Sequence, residues 1–203
     1  MLEGPDGGGK TTQAARLVAW LGGQGREVVP CREPGGTALG EHLRGLLKER
    51  SDLAIGMTAE MLLFNASRAQ LVAEVVVPAL GRGAVVVGDR YLLSSVVYQG
   101  IAGGLDPADV LAVGRAATGG LWPDLTIILD VAVEVALGRV GPGRDRIEDR
   151  GIEYRRRVRA GFRDAARDYP APLAILDGSL DPDAVTRQVQ DEVTRALALA
   201  PRP

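Results

Sequence analysis

The stretch "GPDGGGKTTQ" at residues 4–13 decides the fold. Its spacing, Gly4-x4-Gly9-Lys10-Thr11, fits a P-loop, in which glycines let consecutive backbone N–H groups curl round an anionic oxygen cluster without Cβ clashes. In such a loop Gly4, Pro5, Asp6, Gly7, Gly8 and Gly9 wrap the phosphates, with Thr12 in the first turn behind them. Lys10 then reaches the β and γ groups, and the Thr11 hydroxyl holds Mg²⁺. The bland alternative is a glycine-rich turn in a chain that carries 27 glycines. Two features oppose it. The next segment, "TQAARLVAWLGG", has apolar residues at 14, 17, 18 and 21 and a stop signal at Gly22, so a helix follows the loop as a P-loop requires. Lysine is also nearly absent: of 24 basic residues only Lys10 and Lys48 are lysines, and one is kept where a compact ammonium is needed.

The rest of the composition narrows the class. A chain of 203 residues suits one well-buried domain spanning 1–203, and a net charge of −2 offers no broad basic field for nucleic acid. Cys31 has no partner for an internal disulfide and reads as a small buried hydrophobe at a strand end. No apolar run reaches the length of a membrane span and no leader pattern precedes the loop, so the expectation is a soluble, cytoplasmic protein with no membrane partner.

Short β-branched runs alternate with helical patterns: "REVV" at 26–29, "AVVVGD" at 84–89, "LTIILDV" at 125–131 and "LAILDG" at 173–178. Continuous apolar runs of this kind are buried parallel strands, and with the strand before the loop they predict a five-stranded parallel α/β sheet flanked by helices. Helix starts are legible at Asp106-Pro107 and Asp181-Pro182, each an N-cap before a Pro at N1. After the second come Val185, Val189, Val193 and Leu197 at i+4 steps. Only Met1, Leu2 and Glu3 precede Gly4, so the first strand is expected to be a stub or to continue upstream.

Ligands in such sheets bind at the carboxyl ends of strands, and arginines cluster there. "CREPGG" at 31–36 follows the second run and "DRY" at 89–91 the third. Asp89 reads as a carboxylate for Mg²⁺ or for orienting an arginine, or else as a helix N-cap; Arg90 faces the crevice or solvent. In "AEMLLFNASRAQL" Phe64 and Arg68 are i and i+4, so an aromatic plane and a guanidinium project together, and an arginine there argues against a purely core face. In "RYLLSSVVYQG" Ser95, Tyr98 and Gln99 share a face, and Gln99 offers a donor and an acceptor to a base edge.

Together "GPDGGGKTTQ", "CREPGGT", "LLFNASRAQL", "DRYLLSSVVYQG", "LWPDLTIILDV" and "GRDRIEDRG" resemble the thymidylate kinase family, in order and over nearly the whole chain. The resemblance implies a P-loop NTPase fold and transfer of a phosphoryl group from ATP with Mg²⁺ to dTMP, in a homodimer. It places Asp6 at the sugar 3′-hydroxyl, Arg90 at the dTMP phosphate with Arg44, Arg32 and Glu33 nearby, Phe64 on the thymine face, Arg68 and Gln99 on its edge, and Ser95 and Tyr98 along the pocket. Asn65 stands where the family usually has a small apolar residue.

"VGPGRDRIEDRG" at 140–151 lies between helical segments and is rich in charge and glycine, which suits a short lid over the nucleotide. The loop from Asp6 to Lys10 holds only glycine between them and so supplies no arginine. The chain therefore resembles the bacterial branch that takes one from the lid, with Arg144 and Arg146 as candidates for the catalytic cation beside Lys10 and Arg90. Two other readings stay open: a non-catalytic binder of thymidine nucleotides, against which the intact Lys10, Thr11, Asp89 and Arg90 speak, and a deoxynucleoside kinase, which needs no acceptor-phosphate pocket.

Overall fold

A computed structural model gives the architecture; it describes residues 1–48, 53–139, 146–147 and 150–199. Five parallel strands form one sheet: β1 (Leu2–Glu3), β2 (Val28–Arg32), β3 (Val85–Asp89), β4 (Thr126–Asp130) and β5 (Leu173–Asp177), in the order β2-β3-β1-β4-β5. The order reverses around β1, so the crevice opens at the carboxyl end of the strand that feeds the glycine loop. The predicted strand at 26–29 sits two residues further on. Pairing with β3 continues through Cys31↔Gly88 and Arg32↔Asp89, so these residues belong to the strand rather than to the loop after it.

Helices cover both faces. Against one lie α1 (Lys10–Gly23) and α9 (Pro182–Leu199), where Leu17, Leu21, Val185 and Val189 pack on Val87, Ile127 and Leu129, with Val193 and Leu197 at the edge. On the other, the helix that opens as α5 (Leu92–Ser95) and continues as a π-helical stretch, Val96–Ile101, packs Leu93, Val97 and Tyr98 on Val158 and Phe162 of α8 (Ile152–Ala165). Both expected Asp caps form: Asp106 accepts from the amide of Ala108 at 2.8 Å ahead of α6 (Pro107–Ala117), and Asp181 from the amide of Asp183 at 2.9 Å ahead of α9.

After β2 come α2 (Ala38–Lys48) and, packed against it, α3 (Met57–Leu71), which runs through a π-helical stretch, Val72–Val76, into α4 (Val77–Gly81). Pro78, with no N–H to return to the preceding turn, sits where that helix widens. The expected lid lies between α7 (Val133–Arg139) and α8, with Arg146, Ile147, Arg150 and Gly151 described; Arg144 falls outside the described residues. Cys31 is half-buried, and burial pushes its thiol up to about 12, so it stays protonated as a small apolar side chain. Among the described residues no helix is long and apolar enough to cross a membrane.

Candidate active site

The loop from Gly4 to Gly9 joins β1 to α1, and its glycines are required by close approach as well as by backbone angle. A Cβ on Gly4 (φ +127°) would lie 2.6 Å from the carbonyl oxygen of Leu129, and one on Gly7 (φ +77°) would strike the carbonyl of Ala136. The loop therefore sits directly on β4 and α7, with Gly9 in the left-handed region turning the chain into α1. Lys10 is buried and folds back, its Nζ donating to the carbonyl of Pro5 at 2.8 Å. Burial, and then repulsion from Arg90, bring this ammonium down to about 8. Thr11 Oγ1 donates to Oδ2 of Asp89, the last residue of β3, at 2.6 Å. The helix-cap reading of Asp89 fails, because Tyr91 occupies the N-cap position of the next helix.

Arg90 takes the left-handed conformation, φ +75°, which a non-glycine residue adopts at a cost of order 1–3 kcal/mol. What holds it there is visible. Its own N–H donates to the carbonyl of Leu2 at 2.9 Å, and its guanidinium donates to the carbonyl of Gly4 at 3.1 Å, to Ser94 Oγ at 2.9 Å and to the carboxylate of Asp6. Tyr98 completes the group, its hydroxyl donating to Asp6 at 3.0 Å and its ring lying under the Arg90 guanidinium. Burial works against the Asp6 carboxylate, but Arg90 and Lys10 prevail and hold it below the usual carboxylate range. Behind this group Glu3 is fully buried. It accepts from the amides of Tyr91 and Ser94 at 2.8 and 3.1 Å and from Ser94 Oγ, so it fixes the start of α5. Burial raises its pKa.

A cleft opens beside the loop, walled by Asp6 and Arg90 on one side and by Phe64 and Arg68 of α3 on another. Ser95, Tyr98 and Gln99 close it, and Glu33 and Pro34 from the turn after β2 form its floor. Phe64 is half-buried, packed against the core on one side and lining the cleft. Arg68 is 1 % exposed, so its membership of the core, which its charge seemed to exclude, is real. It is tolerated there because it is paired: Nε donates to Glu33 at 2.8 Å, Nη1 to Asn65 Oδ1 at 2.6 Å, and Nη2 to the carbonyl of Tyr91 and to Ser95 Oγ at 3.2 and 3.0 Å. One Nη1 hydrogen keeps no partner among the described residues. Burial pushes the Glu33 carboxyl up to about 7 against the pull of Arg68, and its Oε1 is buried without a hydrogen bond.

Gln99 is also buried, and its Nε2 donates to Glu60 Oε1 at 2.9 Å. The sequence reading allowed this amide both roles at a base edge; one of its donors is in fact committed to a protein carboxylate. Glu60, from the first turn of α3, is fully buried, and its other oxygen accepts from Arg146 at 2.6 Å and from Arg150. Arg146 further donates from Nε to the carbonyl of Leu47 at 3.1 Å. None of the partners described for it belongs to the glycine loop.

Two expected residues stay out of the cleft wall. Arg32 is exposed and pairs with Glu41 at 3.1 Å, and Arg44 donates to the carbonyl of Pro34 at 2.8 Å. Sequence reasoning missed Lys48, Ser94 and Ile147 in the wall and Glu3 and Glu60 behind it. For Lys48 the signal was present, since the scarcity of lysine that marks Lys10 marks it equally.

A parallel sheet that delivers a glycine loop onto a helix N-terminus, with Lys10 in the loop and Thr11 against the Asp89 strand end, defines a P-loop nucleotide-binding protein of the NTPase fold. The pattern of the thymidylate kinase family matches residues 2–189. Similar chains include the thymidylate kinases of Caldanaerobacter subterraneus subsp. tengcongensis (42 % identical, covering 97 % of this chain and 94 % of the relative) and Thermomicrobium roseum (43 %, covering 97 % and 94 %). That of Bifidobacterium longum is 43 % identical, with 95 % of each chain covered. The chain belongs to the thymidylate kinase family.

Proposed function

We propose that the chain transfers the γ-phosphoryl group of ATP to the 5′-phosphate of dTMP, giving dTDP and ADP. The observation that carries this reading is the position of Arg90. Its guanidinium bonds the loop at Gly4 and Asp6 and at the same time walls the cleft with Tyr98, so one cation stands between the donor and acceptor sites. In the transfer, an oxygen of the acceptor phosphate bonds to the γ-phosphorus as the bond to the β–γ bridging oxygen breaks, and that electron pair leaves with ADP.

The residues of the loop, Gly4 to Thr12, hold the donor phosphates. Lys10 exchanges its bond to Pro5 for one to the β and γ groups, whose negative charge raises its pKa again. Thr11 and Asp89 present two oxygen donors side by side at the loop mouth, which fits Mg²⁺, a cation that takes one or two protein ligands and fills its shell with phosphate and water. When bound there the ion would neutralise charge on the β and γ oxygens. Asp6 receives the sugar 3′-hydroxyl, Arg90 the acceptor phosphate, Phe64 the face of thymine, and Arg68 and Gln99 its edge, with Ser95 and Tyr98 beside the sugar. Glu33 holds Arg68 in place, and Arg44 and Arg32 stand nearby toward the acceptor phosphate. Arg144 or Arg146, on the closing segment at 140–151, supplies the cation that bridges the group in flight.

Measuring ADP formation with dTMP, dUMP, thymidine or no acceptor tests the reading. Turnover with dTMP and none with thymidine is expected. Equal turnover with thymidine would make the chain a nucleoside kinase, and ATP binding without turnover a non-catalytic relative.

A further inference from the structure

Glu60 has no place in the reading above, yet it is 0 % exposed and its carboxylate bonds Gln99 of the cleft wall as well as Arg146 and Arg150. Oε2 is clamped by Arg146 and Arg150, which fixes the plane of the group and keeps a negative charge compensated in the interior. Oε1 faces the side-chain amide of Gln99 at 2.9 Å. A carboxylate offers only acceptors, so it holds the nitrogen end of that amide, and Oε1 of Gln99 is turned the other way. Among the described residues that oxygen has no partner, and Gln99 walls the cleft.

We infer that Glu60 is a positioning residue that decides which pyrimidine base the cleft accepts, by locking the flip state of the Gln99 amide. The inference rests on the proposed use of dTMP. A locked Gln99 Oε1 accepts a hydrogen bond from the N3–H of a thymine or uracil ring. Cytosine carries a lone pair at N3, so it meets oxygen with a lone pair unless the amide turns over. Turning it over sets Gln99 Oε1 against Glu60 Oε1, acceptor against acceptor, in a site from which water is excluded. Discrimination thus sits one residue behind the residue that touches the base, and Arg68 adds to it from a separate set of partners.

Glu60→Gln tests this, because a glutamine at this position can donate to a turned amide as well as accept from the original one. Turnover of dTMP and dCMP is compared in the parent and in Glu60→Gln. The parent should prefer dTMP, and the variant should lose roughly tenfold or more of that preference, chiefly by a lower KM for dCMP. A preference within twofold of the parent's, or an equal loss on both substrates, overturns the inference and leaves Glu60 a structural residue. Failure of the parent to phosphorylate dTMP would instead refute the proposed function. If Glu60→Gln does not fold, the unmodified chain decides by NMR: the Gln99 side-chain amide hydrogens should exchange slowly and stay on the Glu60 side when dTMP is added. Rapid exchange of both would show that no lock exists.

Discussion

Replacing Arg68 with methionine keeps most of the apolar stem of the side chain and removes its charged head. In the folded protein the guanidinium donates to Glu33, Asn65, the Tyr91 carbonyl and Ser95 while only 1 % exposed. The variant strands Glu33, whose side chain is 3 % exposed and whose Oε1 already lacks a partner. Breaking a buried pair in this way costs ~3–5 kcal/mol, which at ~2–4 °C per kcal/mol for a chain of this size lowers the melting temperature by ~6–20 °C. The loss should be larger at pH 8 than at pH 6, because Glu33 is raised to about 7 with Arg68 beside it and higher still without it, so the variant goes on losing stability with rising pH where the parent has stopped. Arg68→Met with Glu33→Gln should recover part of it. Thermal unfolding followed by circular dichroism at both pH values makes the comparison. A fall of less than ~3 °C at pH 8, or a double variant no more stable than Arg68→Met alone, would refute the view that Arg68 is a core residue first. Loss of dTMP use in Arg68 variants then has two causes, and the stability measurement is what separates them.

Two further outcomes are expected. Glu33 has a folded pKa near 7 against an ordinary value of 4.5, so the folded state binds its proton more tightly; this contribution is complete below about 4.5 and lost as pH rises through 7. The difference amounts to about 3 kcal/mol, and Glu33→Gln should flatten the parent's stability profile between pH 5 and 8, a profile measurable by urea titration. Arg146→Ala should lower kcat ~100-fold or more with little change in the KM for dTMP, since a contact made as charge develops acts on turnover. A double Arg144→Ala, Arg146→Ala variant with kcat within threefold of the parent would exclude the lid as the source of the cation.

The sheet was legible because each buried strand is a continuous apolar run and the loop spacing fixes what lies at its end. The boundary of β2 was less so: Pro30 and Cys31 break the β-branched run, and only pairing with Val87 and Gly88 of β3 keeps them in the strand. Asp89 and Arg90 could be placed at the end of a strand, but the φ of +75° at Arg90 was invisible, because nothing in the residue type announces it. Arg32, expected near the acceptor phosphate, pairs with Glu41. It ends β2 and is exposed while Glu33, the first residue of the turn, is buried, a difference that the motif containing both does not reveal. Glu3 and Glu60 went unread because an acidic residue in an apolar strand or a helix first turn is ordinarily a solvated charge, and only the fold shows which arginine, amide or helix end it meets.

Those hidden carboxylates explain how the site keeps its cations ready before any phosphate arrives. Arg68 and Arg90 line the same cleft, and left alone they would repel one another and drift to solvent. Each is instead held from behind. Asp6 takes Arg90, Glu33 takes Arg68, Glu60 takes Arg146 and Arg150, and Glu3 fixes Ser94, which in turn accepts from Arg90. Burying these acids is costly, as the raised pKa values of Glu3 and Glu33 record. The cost is borne in the free protein, so an arriving phosphate meets donors already aimed and need not order them, and preorganisation of this kind is where electrostatic catalysis gains most. It follows that neutralising Asp6 or Glu33 should impair turnover beyond its effect on stability, because the arginine it releases becomes free to pair with the wrong oxygen.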